Sequence, residues 1–130
     1  MKRFTRTFTA TAAHIDVMGH VNNAVWVQWV QDLATDHWEA AARQEDRDTV
    51  VWLVVRHEID YRGNIAAGQS VVGETWIEGA GTGAKSLRRV DFTDTAGKRV
   101  VSAATTWAML DKATLRPLRV RQETLAPFLS

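Results

Sequence analysis

Ten residues near the start of the chain concentrate polar groups that could do chemistry. Segment 14–23 contains two imidazoles, one carboxylate, one glycine and a pair of amides: His14, His20, Asp16, Gly19, Asn22 and Asn23. Because Asp favours turns over strands, we expect its carboxylate to stand clear of any β ladder. The two Asn residues can cap a following helix, whose free N–H groups would point back towards the Asp. A carboxylate that faces a positive helix end suits hydrolysis of an activated carbonyl, so we predict an active site here.

Two chemical routes are open to this carboxylate. Since Asp is a weak nucleophile and a weak base, the substrate needs a carbonyl as reactive as that of a thioester. Asp16 could attack directly to give a transient anhydride, or it could orient and deprotonate a water molecule. In both routes, backbone N–H groups near Asn23 would stabilise the oxyanion, at about 3–4 kcal/mol for one donor. Trp26, one helical turn further on, is expected to contact the acyl group, with Trp29 and Tyr61 as further walls.

Other interpretations of the same residues remain open. His14, Asp16 and His20 are acceptable ligands for zinc, manganese or iron, although no second cluster supplies a further ligand. The imidazoles could instead only brace the loop, and the carboxylate could be a turn or cap residue. No Ser lies in a Gly-x-Ser-x-Gly elbow, which argues against a serine hydrolase. The glycines at 79, 81 and 83 precede a strand-like segment, so they indicate a turn rather than a dinucleotide loop.

Composition narrows the class of protein. The length of 130 residues predicts a single domain over residues 1–130, and the net charge of +1 favours neither nucleic acid nor membrane. The absence of Cys excludes disulfides and thiolate nucleophiles. With no signal core and no apolar run near ~18 residues, we expect a soluble, cytoplasmic protein. Residues 85–121 hold nine Lys and Arg against three Asp, a net charge of +6 that could bind coenzyme A phosphates or an acidic carrier protein.

Hydrophobic periodicity predicts one long helix and five strands. Apolar residues recur at steps of three and four from 23 to about 43, and a charged loop should follow. Strands fit residues 3–11, 50–62, 69–78, 85–94 and 98–110, and the tail from Arg116 looks irregular. Because short turns join the last four strands, they should be antiparallel. One amphipathic helix across such a sheet gives an α+β fold.

Strict alternation along 50–62 places one set of side chains on a single face: Val51, Leu53, Val55, Ile59 and Tyr61. The first half of this strand is apolar on both faces. In a domain with one helix, a second subunit is the simplest cover for the extra face.

The chain resembles the hotdog-fold acyl thioesterases, in the branch of 4-hydroxybenzoyl-CoA thioesterase. Their signature Asp-x-x-Gly-His-Val-Asn-Asn-x-x-Tyr is similar to Asp16-x-x-Gly19-His20-Val21-Asn22-Asn23-x-x-Trp26. The similarity continues through the helix, Ile59-x-Tyr61, Gly68-Gln69, Thr105 and Thr106, and the segment from Asp111 to Pro117. It therefore covers nearly the whole chain.

The resemblance implies a five-stranded antiparallel sheet wrapped around one long helix, with dimers joined edge to edge and active sites at the subunit interface. It implies an acyl-CoA thioesterase in which Asp16 is nucleophile or general base and the Asn23 amide polarises the carbonyl. His20 would organise the loop and could contact the thioester or water. We expect five further residues to contact the substrate: Gly19, Asn22, Trp26, Tyr61 and Arg62.

The same resemblance implies no metal and no other cofactor. The expected partners are an acyl-CoA or acyl-carrier-protein thioester and further copies of the chain, as a homodimer or a dimer of dimers.

Four positions depart from the family pattern. Trp26 replaces the usual Tyr, and Gln31 stands where many members have Glu. Met18 occupies the position of an Asn in the plant acyl-carrier-protein thioesterases. The usual Pro after Tyr61 is replaced by Arg62, which we expect to contact coenzyme A.

Two other functions within the fold remain open. A hydratase or dehydratase commonly carries an Asp-x-Asn-Pro-x-His loop, whereas the spacing from Asp16 to His20 is one residue shorter and lacks that Asn and Pro. A non-hydrolytic protein that binds an acyl thioester is the second alternative.

Overall fold

The computed structural model describes residues 2–129, in which one antiparallel sheet packs a single face against a long helix. Its strands are β1 (Phe4–Thr9), β2 (Val50–Tyr61), β3 (Ser70–Thr82), β4 (Lys85–Asp94) and β5 (Arg99–Asp111). Its helices are α1 (Asn23–Ala41), α2 (Gln44–Thr49) and α3 (Gln122–Leu129), with a 3₁₀ turn at Ala12–His14. The strand order is β1-β3-β4-β5-β2, so β1 and β2 are the edges. The predicted α+β arrangement of five antiparallel strands around one helix is confirmed.

The core forms where the apolar stripe of α1 meets β3 and β4. Its buried residues recur at helical spacing: Trp26, Trp29, Val30, Leu33, Ala34 and His37. Gly73 of β3 marks the closest approach, because a Cβ there would meet Leu33 Cδ2 and Phe92 Cε1 at 2.9 Å. The absence of a side chain at this position therefore lets the helix lie close to the sheet.

A β-bulge in β2 reverses the faces of the strand. The register against β5 shifts between Val54 and Arg56. Before the shift, Trp52 faces α1 and contacts Trp38. After the shift, His57 faces α1, and its Nε2 lies 3.4 Å from Gln31 Nε2. The prediction that Val51 and Leu53 share a face with Ile59 and Tyr61 was wrong, since the bulge inserts one unpaired residue.

Two short helices form where the sequence indicated irregular chain. In the charged segment after α1, Arg43 pairs at 2.9 Å with Asp46, whose side chain is buried in α2. In the tail, Leu125 and Phe128 of α3 pack against Ala42 and Ile77 despite Pro127 within the helix. Both predictions were wrong because tertiary burial, which local composition does not show, stabilises these segments. No helix among residues 2–129 has the length and apolar character needed to cross a membrane.

Candidate active site

Segment 14–23 closes as a narrow hairpin between β1 and α1. Ile15 and Val21 form an antiparallel bridge, the Asp16 amide donates to the His20 carbonyl at 2.8 Å, and the Asn22 amide donates to the His14 carbonyl at 2.9 Å. The tip turns at Gly19, whose φ of +79° lies in the region that favours glycine. Local hydrogen bonds between backbone groups thus bring the polar residues of the segment together.

The Asp16 carboxylate is fixed through one of its two oxygens. Oδ1 accepts hydrogen bonds from the amides of Met18 at 2.9 Å and His20 at 3.2 Å. Among residues 2–129, no cation forms a salt bridge with this carboxylate and Oδ2 has no hydrogen-bond donor. The side chain is half-buried, so the loop orients it and leaves the second oxygen available to a ligand.

The first turn of α1 leaves a single amide without an acceptor. Asn22 Oδ1 accepts from the Ala24 amide at 2.9 Å, and the Asn22 carbonyl accepts from Val25 at 2.9 Å and from Trp26 at 3.3 Å. Within the described part of the chain, nothing accepts from the Asn23 amide. This N–H is the donor that the helix start offers to a ligand.

The two imidazoles of the segment differ in their contacts. His14 Nδ1 accepts from the Thr11 amide at 2.9 Å, and the ring meets Trp29 edge to face with centroids 5.4 Å apart. His14 therefore braces the loop. His20 is exposed and no protein contact of its ring is seen within residues 2–129. In the same range, no group of three or more His, Asp or Glu side chains could hold a metal ion.

Asn64 is a loop contact that sequence reasoning missed. Its Oδ1 accepts from the amides of Val21 at 3.1 Å and Ile65 at 2.8 Å, and its Nδ2 donates to the Val21 carbonyl at 3.3 Å. The side chain thus ties the end of the hairpin to the segment that follows β2. The only local sequence feature that could have indicated this contact is the position of Asn64, three residues after Tyr61 in a turn-rich stretch.

The other predicted substrate contacts lie on different surfaces. Trp26 is fully buried between Trp29 and Phe92, with ring centroids 5.2 Å from each. Tyr61 is 44% exposed at the end of the edge strand. Arg62 lies in a cleft of about 410 Å³ on the opposite side of the sheet from α1, two residues before Asn64.

The basic segment 85–121 is not a uniform positive surface. Arg89 pairs with Glu78 at 2.7 Å, and Arg99 lies 3.4 Å from Asp91. Arg88 belongs to the interior instead, where it is 5% exposed. The expectation that Arg88 contributes to a surface field was wrong, because the pleat of β4 turns it towards α1.

A cavity of about 360 Å³ lies towards the opposite end of α1 from segment 14–23. Its wall includes Ala34 and Trp38 of α1, Trp52 of β2, Arg88 of β4 and Trp107 of β5. The alternation Ser86, Arg88, Val90 along β4 could have indicated that Arg88 points inwards, whereas the meeting of three Trp side chains depends on strand register.

A model of the acyl-ACP thioesterase N-terminal domain matches residues 1–128. The chain belongs to this family of thioesterases. The resemblance to hotdog-fold acyl thioesterases is thus confirmed, with the acyl-ACP thioesterases as the family that is matched. No curated protein sequence matches the chain.

Solved structures show the hotdog fold of this thioesterase. YbaW, a probable thioesterase from Escherichia coli, is 20% identical with a TM-score of 0.83, and the match covers 95% of this chain and 94% of that one. SAV2348 from Staphylococcus aureus, solved in complex with CoA, is 14% identical with a TM-score of 0.85, over 97% and 81% of the two chains.

An acyl-ACP thioesterase from Bacteroides thetaiotaomicron is 22% identical with a TM-score of 0.80, and the match covers 89% of this chain. It covers 49% of the Bacteroides chain, so the sequence spans about half the length of that protein.

Replacing Asn64 should make segment 14–23 more mobile. Asn64→Ala leaves the Ile65 amide without its acceptor and weakens the hold on Val21, so the free energy of unfolding should fall by about 1–3 kcal/mol. Amide exchange at Val21 should accelerate, as measured by hydrogen–deuterium exchange. Gln69→Ala, which removes one hydrogen bond to Ala66 in the next turn, should leave exchange at Val21 unchanged. Equal exchange at Val21 in wild type and Asn64→Ala would contradict this role.

Proposed function

We propose that this thioesterase hydrolyses an acyl-CoA or acyl-carrier-protein thioester at segment 14–23. One observation carries the proposal: the half-buried Asp16, with one oxygen fixed by loop amides, shares a hairpin with the first-turn amide of Asn23 that lacks an acceptor among residues 2–129. A carboxylate and an oriented N–H donor are the two groups that thioester hydrolysis needs. The CoA complex of SAV2348, which has the same fold, agrees with a CoA ligand.

In this mechanism, the thioester carbonyl oxygen accepts a hydrogen bond from the Asn23 N–H. Asp16 Oδ2 then attacks the carbonyl carbon, or removes a proton from a water molecule that attacks it. The carbon–sulfur bond breaks and the sulfur leaves as a thiolate that takes up a proton. In the first route, water hydrolyses the resulting anhydride and restores the carboxylate. His20, which is exposed at the loop tip, contacts the thioester or the water in this mechanism.

The remaining predicted contacts differ in how they relate to segment 14–23. Gly19 and Asn22 shape the backbone around the carbonyl, and Tyr61 and Arg62 lie on the chain just before the Asn64 contact with the loop. Trp26 has no exposed surface in the isolated chain, so an acyl group reaches its indole only where the core contact with Phe92 opens.

The chemistry of Asp16 can be tested with its isosteric amide. Asp16→Asn keeps an acceptor for the Met18 and His20 amides but removes the charge, so thiol release from a panel of acyl-CoAs should fall about 100- to 10,000-fold. Asp48→Asn, which neutralises an exposed carboxylate on α2, is the matched control and should retain activity. Wild-type activity in Asp16→Asn would refute the assignment. Tight acyl-CoA binding by the wild type without thiol release would instead indicate a non-hydrolytic binding protein.

The Asn23 amide can be removed without disturbing the helix. Pro is favoured at the first helical position, and Asn22 already has the extended ψ of 143° that a following Pro requires. Asn23→Pro should therefore fold normally and lower kcat about 100- to 1000-fold, because the oxyanion loses its donor. Asn23→Ala retains the N–H and should keep most of the activity, so the contrast isolates the backbone group. Similar kcat values for the two variants would exclude this amide as the donor.

We also propose that two chains associate through the β2 edge. This strand is 12 residues long, and Leu53 on it is 56% exposed. Among residues 2–129 its outer edge is unpaired, and an edge that is apolar over its first half favours pairing with a second strand. Sedimentation should give about twice the 14.5 kDa of one chain, and Leu53→Glu should shift the protein towards monomer. Val72→Glu, at an exposed apolar residue away from that edge, should not, and a monomeric wild type would disprove the assembly.

A further inference from the structure

The cavity beside the second half of α1 has an apolar wall made largely of indole rings. Trp38, Trp52 and Trp107 line it, and the first two meet edge to face with centroids 5.7 Å apart. Ala34 lies eleven residues beyond Asn23, which corresponds to ~16 Å along the helix. This distance suits the far end of a long acyl chain whose thioester lies at the helix start.

Arg88 places a cation in this wall without a counter-charge. Its Nη1 lies 2.9 Å from His37 Nδ1 and 3.1 Å from Thr75 Oγ1. Burial, and then the charge of Arg88, lower the pKa of His37 to about 4, so this imidazole is a neutral acceptor at neutral pH. Burial lowers the pKa of Arg88 to about 10, so the guanidinium itself stays charged. Within residues 2–129 no carboxylate lies at ion-pair distance from it, and its Nε and Nη2 have no acceptor.

The other charged groups of the wall reinforce this excess of positive charge. Arg47 and Lys112 also line the cavity, and Glu39 is the one acidic lining residue among residues 2–129. Arg47 donates to neutral oxygens, the Glu39 carbonyl and Gln44 Oε1, both at 2.7 Å. Three cations and one anion thus face a space with apolar walls. A buried cation without a counter-charge is costly, and a ligand carboxylate would offset that cost.

We propose that the cavity selects acyl chains that end in a second carboxylate, which pairs with the free Nε and Nη2 of Arg88 while the chain contacts the three indoles. The planar guanidinium can bind a carboxylate through two parallel hydrogen bonds. The substrate class is then an ω-carboxyacyl thioester. This inference rests on the proposed function only for the position of the thioester. The selection itself depends on the binding of the acyl chain and not on its hydrolysis.

Thioether analogues of the substrate allow the proposed selection to be tested separately from hydrolysis. A sixteen-carbon S-(ω-carboxyalkyl)-CoA and the S-alkyl-CoA of equal length differ only at the distal end, and neither can be hydrolysed. Their affinities can be measured by calorimetry and by tryptophan fluorescence, since the indoles lie in the cavity wall. The wild type should bind the carboxylate analogue at least about tenfold more tightly, and Arg88→Met should abolish this preference while it retains affinity for the S-alkyl analogue.

Arg89→Met is the matched control, because Arg89 is the next residue of β4 and its exposed side chain pairs with Glu78. It should keep the wild-type preference. Equal wild-type affinities for the two analogues would overturn the proposal even if Arg88→Met failed to fold. A preference that persists in Arg88→Met would overturn it as well, because the carboxylate would then bind elsewhere. Selective binding of the carboxylate analogue, together with no thiol release from the corresponding ω-carboxyacyl-CoA and acyl-CoA thioesters, would support the selectivity and refute the proposed function.

Discussion

Asn22 accepts the hydrogen bonds of most amides in the first turn of α1, and the geometry of the loop depends on these bonds. Its side chain takes the Ala24 amide and its carbonyl takes those of Val25 and Trp26, while its own amide is held by His14. The Asn23 N–H has no acceptor in the part of the chain that the structure describes, and it lies where the partial positive charge of the helix end is concentrated. Because the same hairpin positions Asp16, a change in the cap would move the donor and the carboxylate together.

The loop is coupled to the core through a chain of aromatic contacts. His14 meets Trp29, Trp29 meets Trp26, and Trp26 meets Phe92 of β4, with centroid distances of 5.2 to 5.4 Å. Gly73 lets α1 lie close enough to the sheet for these rings to pack. The position of the loop relative to the sheet therefore depends on core packing, which resists small displacements.

The sequence was informative where structure is set locally and uninformative where it is set by distant partners. The α1 stripe and the strands follow from periodicity, and the Asp16 loop follows from turn and cap residues within ten positions. The β2 bulge shows no signal of its own, so the faces of Leu53 and Ile59 were paired wrongly. Asn64 acts across 43 residues on Val21. The partners of Arg88 depend on strand register, and α3 depends on the packing of Phe128 against the distant residues Ala42 and Ile77.

The retention of a charged side chain inside β4 is difficult to explain by stability alone. Replacing buried ionic groups by apolar residues of similar volume is often neutral or stabilising, and both Thr75 and His37 are neutral partners. Thr75 Oγ1 already donates to the Arg89 carbonyl at 2.8 Å, so it does not need the guanidinium to be satisfied. A function in ligand recognition accounts for the charge where packing does not. Under the proposed function and the proposed selectivity, the two ends of α1 have different roles: bond cleavage takes place at its first turn, and discrimination between acyl chains takes place along its second half.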